Sequence, residues 1–425
     1  MSVKEHIAAV RRLPPEERRF LRLFWSFWLT LAVYPAGYAV RDVMPVVSFV
    51  FLMLYYRGNP HAGVWSRLDA RPLFYCLWSM MLIGVLFSEN MFSSLQHVGK
   101  NLNMGIILPF IAMECVREEK DLRRLVWACA AVCFWQGLDG VWQACTGRDF
   151  ILGNALNAGR LTGSLGDYSV GNYIALAVIP AFGLWSVLRR GLPPVSAAFM
   201  WTAALWPAFF LLVGAASRSG ALAAASALTL RLLQADAKPY RRYALLFPVV
   251  LAVILLLQGR AQLDAVTEDG RWSLWKLAWN VFLEHPWFGA GAGQYNTAFR
   301  ALDLVPGKDL ITISHPHNIF LDMLYAHGLV GFALGTVFLA GFLWWGYKRI
   351  RPRLREESAG EGTSIYWRLT VWFWIGFAAW PINGIFGHDF YRTWWMGLAM
   401  SYLGIMIGAV VNGCGKPTTV PVRAD

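Results

Sequence analysis

Three short stretches of the chain hold side chains suited to chemistry on an anion or a hydroxyl. The first is Ser217-Arg218-Ser219-Gly220, a guanidinium between two hydroxyls beside a flexible glycine. It lies between two apolar runs with almost no connection, which places Arg218 at or just within a membrane boundary. A charge at a helix centre costs about 2.5–3.5 kcal/mol on insertion scales, less near the edge. Two readings stay open: an arginine snorkelling from a helix end, or an anion site at the depth of a lipid phosphate.

The second stretch starts at Gly270-Arg271. Trp272, Trp275 and Trp279 follow at i, i+3 and i+7, one face of a helix. That pattern predicts an amphipathic helix on the outer leaflet. An anion at its start gains from Arg271 and from free N–H groups. Further on, Pro286-Trp287-Phe288-Gly289-Ala290-Gly291-Ala292-Gly293 is rich in small residues. Gly291 and Gly293 allow close backbone approach to a ligand, or simply let the loop pack. The third stretch is Ser314-His315-Pro316-His317-Asn318, at the start of another apolar run. Pro316 suits the first helical position, which puts His317 in the first turn. The positive helix end disfavours imidazolium, leaving a neutral ring able to accept a proton. A satisfied interfacial histidine is the alternative. Gly328 and Gly331 mark close helix packing. Two unit charges at 4 Å interact by about 4 kcal/mol at an effective dielectric near 20. Two arginines on a diphosphate would therefore stabilise a leaving group, while a histidine takes a hydroxyl proton. The implied reaction is transfer from a lipid diphosphate to an alcohol at the outer face.

The elements that position these residues are membrane helices. Of 425 residues, 57% are apolar and 15% charged, and mean hydropathy is +0.43. A soluble chain is about 45–50% apolar and about 25% charged. The 22 Trp, 27 Phe and 15 Tyr suit many membrane–water interfaces. A span needs about 17–25 apolar residues. Twelve candidates emerge: 21–40, 42–57, 72–88, 101–116, 122–145, 167–188, 196–215, 218–234, 243–258, 317–346, 367–386 and 393–411. The expected fold is an all-α polytopic membrane protein, a single domain over 1–425. With the N-terminus in the cytoplasm, the cytoplasmic segments hold 27 of the 38 Lys and Arg and the other side 11. This bias puts both termini inside. It also explains the net charge of +12 without nucleic acid, since the charges lie in short runs between apolar segments. One outer loop, 259–316, is long enough to house a site. Residues 1–19 read as a cytoplasmic lead-in rather than a cleavable signal. The six cysteines, at 76, 115, 129, 133, 145 and 414, form no CxxC and read as small hydrophobes.

No P-loop, HExxH, zinc-spaced His/Cys cluster, DxD pair or GxSxG elbow occurs. Catalysis is therefore expected without a metal or a cofactor.

These residues resemble the O-antigen ligase and polymerase superfamily of Gram-negative inner membranes. The likeness rests on Arg218 in Ala-Ser-Arg-Ser-Gly, on Gly270-Arg271 and on Pro286-Trp287-Phe288-Gly289-Ala290-Gly291. Its most specific part is His317-Asn318 followed by Gly328-Leu329-Val330-Gly331. The resemblance implies a C-type glycosyltransferase architecture with one long periplasmic loop containing helices. It implies a metal-independent, inverting transfer of O-antigen from undecaprenyl diphosphate to a sugar hydroxyl of lipid A–core oligosaccharide, completing lipopolysaccharide on the periplasmic face. By matching positions, Arg218 and Arg271 would bind the donor diphosphate and His317 would act as base. His315 beside it leaves the choice of base open. Asn318, Lys100, Arg300 and Arg392 are secondary candidates.

An O-antigen polymerase and a protein O-oligosaccharyltransferase share this chemistry. The short tail after the last span and the single dominant outer loop favour the ligase. A lipid-linked glycan transporter would need charges along a path through the bundle and an internal repeat, and neither is visible.

Overall fold

The computed structural model describes residues 12–58, 63–167, 169–234, 271–301, 315–359 and 364–413. Among them the chain is helical, with no strand and only two isolated antiparallel bridges, Arg148 to Ala155 and Asn157 to Arg160. The α-helices of five or more residues are α1 (Pro15–Val33), α2 (Tyr38–Arg57), α3 (Arg71–Leu86), α4 (Met91–Leu102), α5 (Leu108–Glu114), α6 (Glu119–Thr146), α7 (Val170–Ala181), α8 (Leu184–Leu188) and α9 (Pro194–Gly214). They continue as α10 (Arg218–Gln234), α11 (Arg271–Glu284), α12 (Tyr295–Ala301), α13 (Ile319–Ala359), α14 (Tyr366–Gly384) and α15 (Thr393–Gly413).

Helices fall in eleven of the twelve segments expected to span; the other, 243–258, lies outside the described residues. Among the described residues six helical stretches are long and apolar enough to cross a membrane: α2, α6, α7 with α8, α9, α13 and α15. The protein is thus a nearly all-helical chain of the polytopic membrane kind. The 101–116 segment departs from a single rod. A π-helical turn, Asn103–Ile107, joins α4 to α5.

Small residues let the helices close on one another. A Cβ on Gly137 or Gly140 of α6 would run into Pro207, Ala208 or Leu211 of α9. Gly404 and Gly408 of α15 do the same against the α5 backbone at Pro109 and Met113. The α6 helix starts on a capping box, in which Glu118 and Asp121 satisfy each other's backbone N–H groups. Helix α15 is buried along most of its length and forms the centre of the bundle. Cys115, Cys129 and Cys133 are buried, Cys145 is exposed, and all are free thiols, as is Cys76.

Candidate functional site

Helix α13 is broken at Gly328, whose φ of 62° and ψ of −167° are not helical. The break removes the bonds that would join the carbonyls of Tyr325 and Ala326 to the N–H groups of Leu329 and Val330. The segment after α11 supplies both sets of partners. Ala290 N–H donates to Tyr325 O at 2.8 Å and Gly291 N–H to Ala326 O at 3.1 Å. Leu329 N–H donates to Pro286 O at 2.7 Å and Val330 N–H to Trp287 O at 3.1 Å. Unsatisfied backbone groups are costly in a bilayer, and such a break persists where protein re-satisfies them. The Pro286–Gly291 motif and the Gly328–Gly331 motif are therefore two halves of one joint. Gly289, Gly291 and Gly293 all have positive φ. Gly291 and Gly293 do permit a close approach, and it is to this chain itself: a Cβ there would meet Ser88 and His97. Ala292 N–H donates to Gly84 O at 2.9 Å, and Ser94 Oγ–H donates to Ala292 O at 2.8 Å.

The histidine pair stands just before α13. The helix starts at Ile319, not within Pro316-His317 as the sequence suggested. Asn318 caps it, its Oδ1 accepting Phe320 N–H at 2.9 Å and Leu321 N–H at 3.1 Å. Asparagine is among the best N-cap residues, and this prevails over the preference of proline for the first helical position. His317 is thus outside the first turn, half-buried, with φ +54°. The other described non-glycine residues at positive φ are Ala158 and Ala216, the latter next to Ser217-Arg218. Residues held in this region store strain that clusters at functional sites.

The imidazoles of His315 and His317 lie 4.2 Å apart between ring centroids. His315 is 8% exposed, and its Nε2 is 3.8 Å from Oδ1 of Asp389, which is 7% exposed. Burial pushes the His315 imidazole below its usual range, with Asp389 opposing. Burial would raise the Asp389 carboxyl, but the basic groups around it, His315, Arg392 and His388, together draw it below its ordinary value. Asp389 belongs to the α14–α15 connection. So does Arg392, which pairs with Asp167 at 3.8 Å and lies over Trp395. In the same connection His388 stacks between Trp380 and Trp395, with its Nδ1 2.8 Å from Asp389 O. One turn into α13, Asp322 accepts Phe390 N–H at 3.0 Å and pins the connection in place.

Arg218 opens α10 and is half-buried. No carboxylate pairs with it among the described residues. Ser217 Oγ accepts Gly220 N–H at 3.1 Å. The hydroxyls of Ser217 and Ser219 both donate to Asn172 Oδ1 at the start of α7. Asn383 Nδ2–H in turn donates to Asn172 O at 3.1 Å. A Cβ on Gly387 would sit 2.6 Å from Asn383 Oδ1, and one on Gly384 3.1 Å from His388 Cε1. Hydrogen bonds thus lead from Ser217 and Ser219, on either side of Arg218, through Asn172 to Asn383, near the end of α14 and a few residues before the connection that carries His388 and Asp389. Arg271 begins α11; its side chain is outside the described residues. One turn on, Trp275 packs on Phe386 at 5.7 Å, beside that same connection. Trp272 and Trp279 are 64% and 46% exposed. Lys100 is exposed in the last turn of α4. Arg300 is in α12, its side chain outside the described residues. Among the described residues no three His, Cys, Asp or Glu side chains converge as metal ligands.

Residues 203–336 match the O-antigen ligase family. The match starts within α9, takes in Arg218, Arg271, the 286–291 half of the joint and His315-Pro316-His317-Asn318, and ends beyond the Gly328 break. It spans less than a third of the chain, and over that stretch the chain is similar to the O-antigen ligase and polymerase superfamily. No curated protein matches the chain. Asp389, His388 and Arg392 lie past the matched segment. Sequence reading missed Asp389. The available signal was the Gly387-His388-Asp389 run and Arg392, packed into a short connection between two apolar helices.

Proposed function

We propose that the protein is an O-antigen ligase of the inner membrane, with twelve spans, both termini cytoplasmic and the 259–316 segment periplasmic. The donor is O-antigen on undecaprenyl diphosphate, and the acceptor is a sugar hydroxyl of lipid A–core oligosaccharide. The observation that supports this best is that the family-matched segment holds both the Arg218 corner, bonded through Asn172 to Asn383 of α14, and the His315–His317 pair beside the connection that follows α14.

In this reading Arg218 and Arg271 hold the diphosphate by charge-assisted bonds, which suit phosphate oxygens. His317 takes the proton of the acceptor hydroxyl. The oxygen attacks the anomeric carbon from the face opposite the diphosphate, the bond to the diphosphate oxygen breaks, and the linkage inverts. His315, backed by Asp389, packs behind His317 and keeps its ring oriented. Arg392 and Lys100 add positive potential near the departing anion. The chemistry asks nothing of a metal.

The test is reconstitution of the pure protein with undecaprenyl-diphosphate glycan and lipid A–core oligosaccharide, in EDTA. Lipopolysaccharide as product supports the ligase. A lengthened lipid-linked glycan would make the protein a polymerase, and a glycosylated protein acceptor an oligosaccharyltransferase. Strict dependence on a divalent ion would sink the metal-free mechanism.

A further inference from the structure

A second cationic site lies at the end of the bundle remote from the histidines. Arg368 and Asn383 stand near opposite ends of α14, about 22 Å apart along its axis at 1.5 Å per residue. Beside Arg368 is a cavity of about 360 Å³, where Trp185, Ser186, Arg189 and Arg190 face Ser364 and Arg368. Ligand sites run from about 300 to 1,000 Å³.

The charges around it do not cancel. Glu119 pairs with both Arg123 and Arg190, and also accepts Ser364 Oγ–H at 3.0 Å and Ile365 N–H at 2.9 Å. Arg368 is 3.8 Å from Glu357, whose oxygens already accept Trp367 N–H and Arg368 N–H. Arg189 donates to the Leu192 carbonyl at 2.8 Å, and no carboxylate pairs with it among the described residues. Three guanidiniums thus share two carboxylates, and Arg189 is a fourth cation beside them. Trp185 at the rim is 40% exposed. It lies near the end of Val170–Leu188, one of the stretches able to cross a membrane. A Trp at such an end marks the headgroup level.

We infer that this cavity binds the phosphate of an anionic phospholipid from the leaflet at that end. Arg189 and Arg368 offer planar donor forks that match phosphate oxygens. Ser186 adds a hydroxyl, and Trp185 covers the glycerol. The excess positive charge selects an anionic over a zwitterionic headgroup. A free phosphate would share the arginines but gain nothing from Trp185. The inference is independent of the transferase reading, since none of these residues is near the histidines.

The test uses the full chain, purified in detergent and examined by native mass spectrometry. It is titrated in parallel with phosphatidylglycerol, phosphatidylcholine and inorganic phosphate. The wild type is expected to retain one phosphatidylglycerol in preference to phosphatidylcholine, and excess phosphate should not displace it. Arg189→Gln is expected to weaken retention roughly fivefold, and Arg189→Gln/Arg190→Gln more, at about that factor per cation near an anionic surface. Arg353→Gln, on the exposed end of α13, serves as a control and should leave retention unchanged. Equal retention of phosphatidylcholine by the wild type would overturn the proposal. So would displacement by phosphate alone, or unchanged retention in a folded Arg189→Gln/Arg190→Gln variant. The wild-type comparison decides even where that variant fails to fold.

Discussion

His317 is the residue on which the proposed chemistry turns, and its backbone is already held at φ +54°. His317→Ala is expected to fold and insert yet to abolish transfer to lipid A–core; retained capping in a membrane assay would reassign the base. Arg218→Ala and Arg271→Ala should each weaken donor binding about tenfold or more, the weight of a lost charged hydrogen bond, measurable with a lipid diphosphate analogue. Asp389 gives a third test through the pH profile. The proposed orientation of His317 needs a neutral His315, and burial already holds that imidazole below its ordinary value near 6.5. The limb of the profile that reports His315 therefore falls on the acid side of that value. Asp389→Asn removes the charge that opposes burial. The limb should move to still lower pH while the rate at neutral pH falls. A limb that stays in place would leave Asp389 with a structural role only. Arg218, Arg271 and the histidines were legible in the sequence because ionisable groups are conspicuous in apolar surroundings. Asp389 was not, because its partner His315 lies more than seventy residues earlier and only the α13–α14–α15 packing brings them together.

At the scale of elements, the joint between the 286–291 segment and the break in α13 has the most to lose from a small change. A Cβ on Gly328 would press on the backbone of Trp287 and Phe288, at a φ of +62° that a side chain resists. Gly328→Ala should destabilise the protein by about 1–3 kcal/mol and expose the 286–294 segment to protease. An unchanged melting temperature and an intact segment would show that the joint tolerates a side chain. The sequence showed both glycine-rich motifs and even suggested close packing. It did not show that one repairs the hydrogen bonds of the other, because the break at Gly328 leaves no mark on hydropathy. The expected start of α13 failed for a related reason. Proline and asparagine both favour helix entry, and only the geometry of Asn318 decides between them.

For the whole molecule, composition foretold the helical membrane class, because bilayer length and backbone satisfaction leave few alternatives. The number of crossings was harder to read, since α3 and the α4–α5 pair are shorter or interrupted. The proposed orientation rests on the distribution of Lys and Arg. Reporters fused before Pro15 and after Gly413 should both read as cytoplasmic, and one inserted between α12 and α13 as periplasmic. Any other pattern would reverse the assignment. The joint also bears on how the chain is held as one object. Its two halves lie on either side of residues 302–314, and four backbone bonds tie them directly. Two polypeptides divided between Ala301 and His315 and co-expressed are expected to reassemble into one particle, and Gly328→Ala should prevent it.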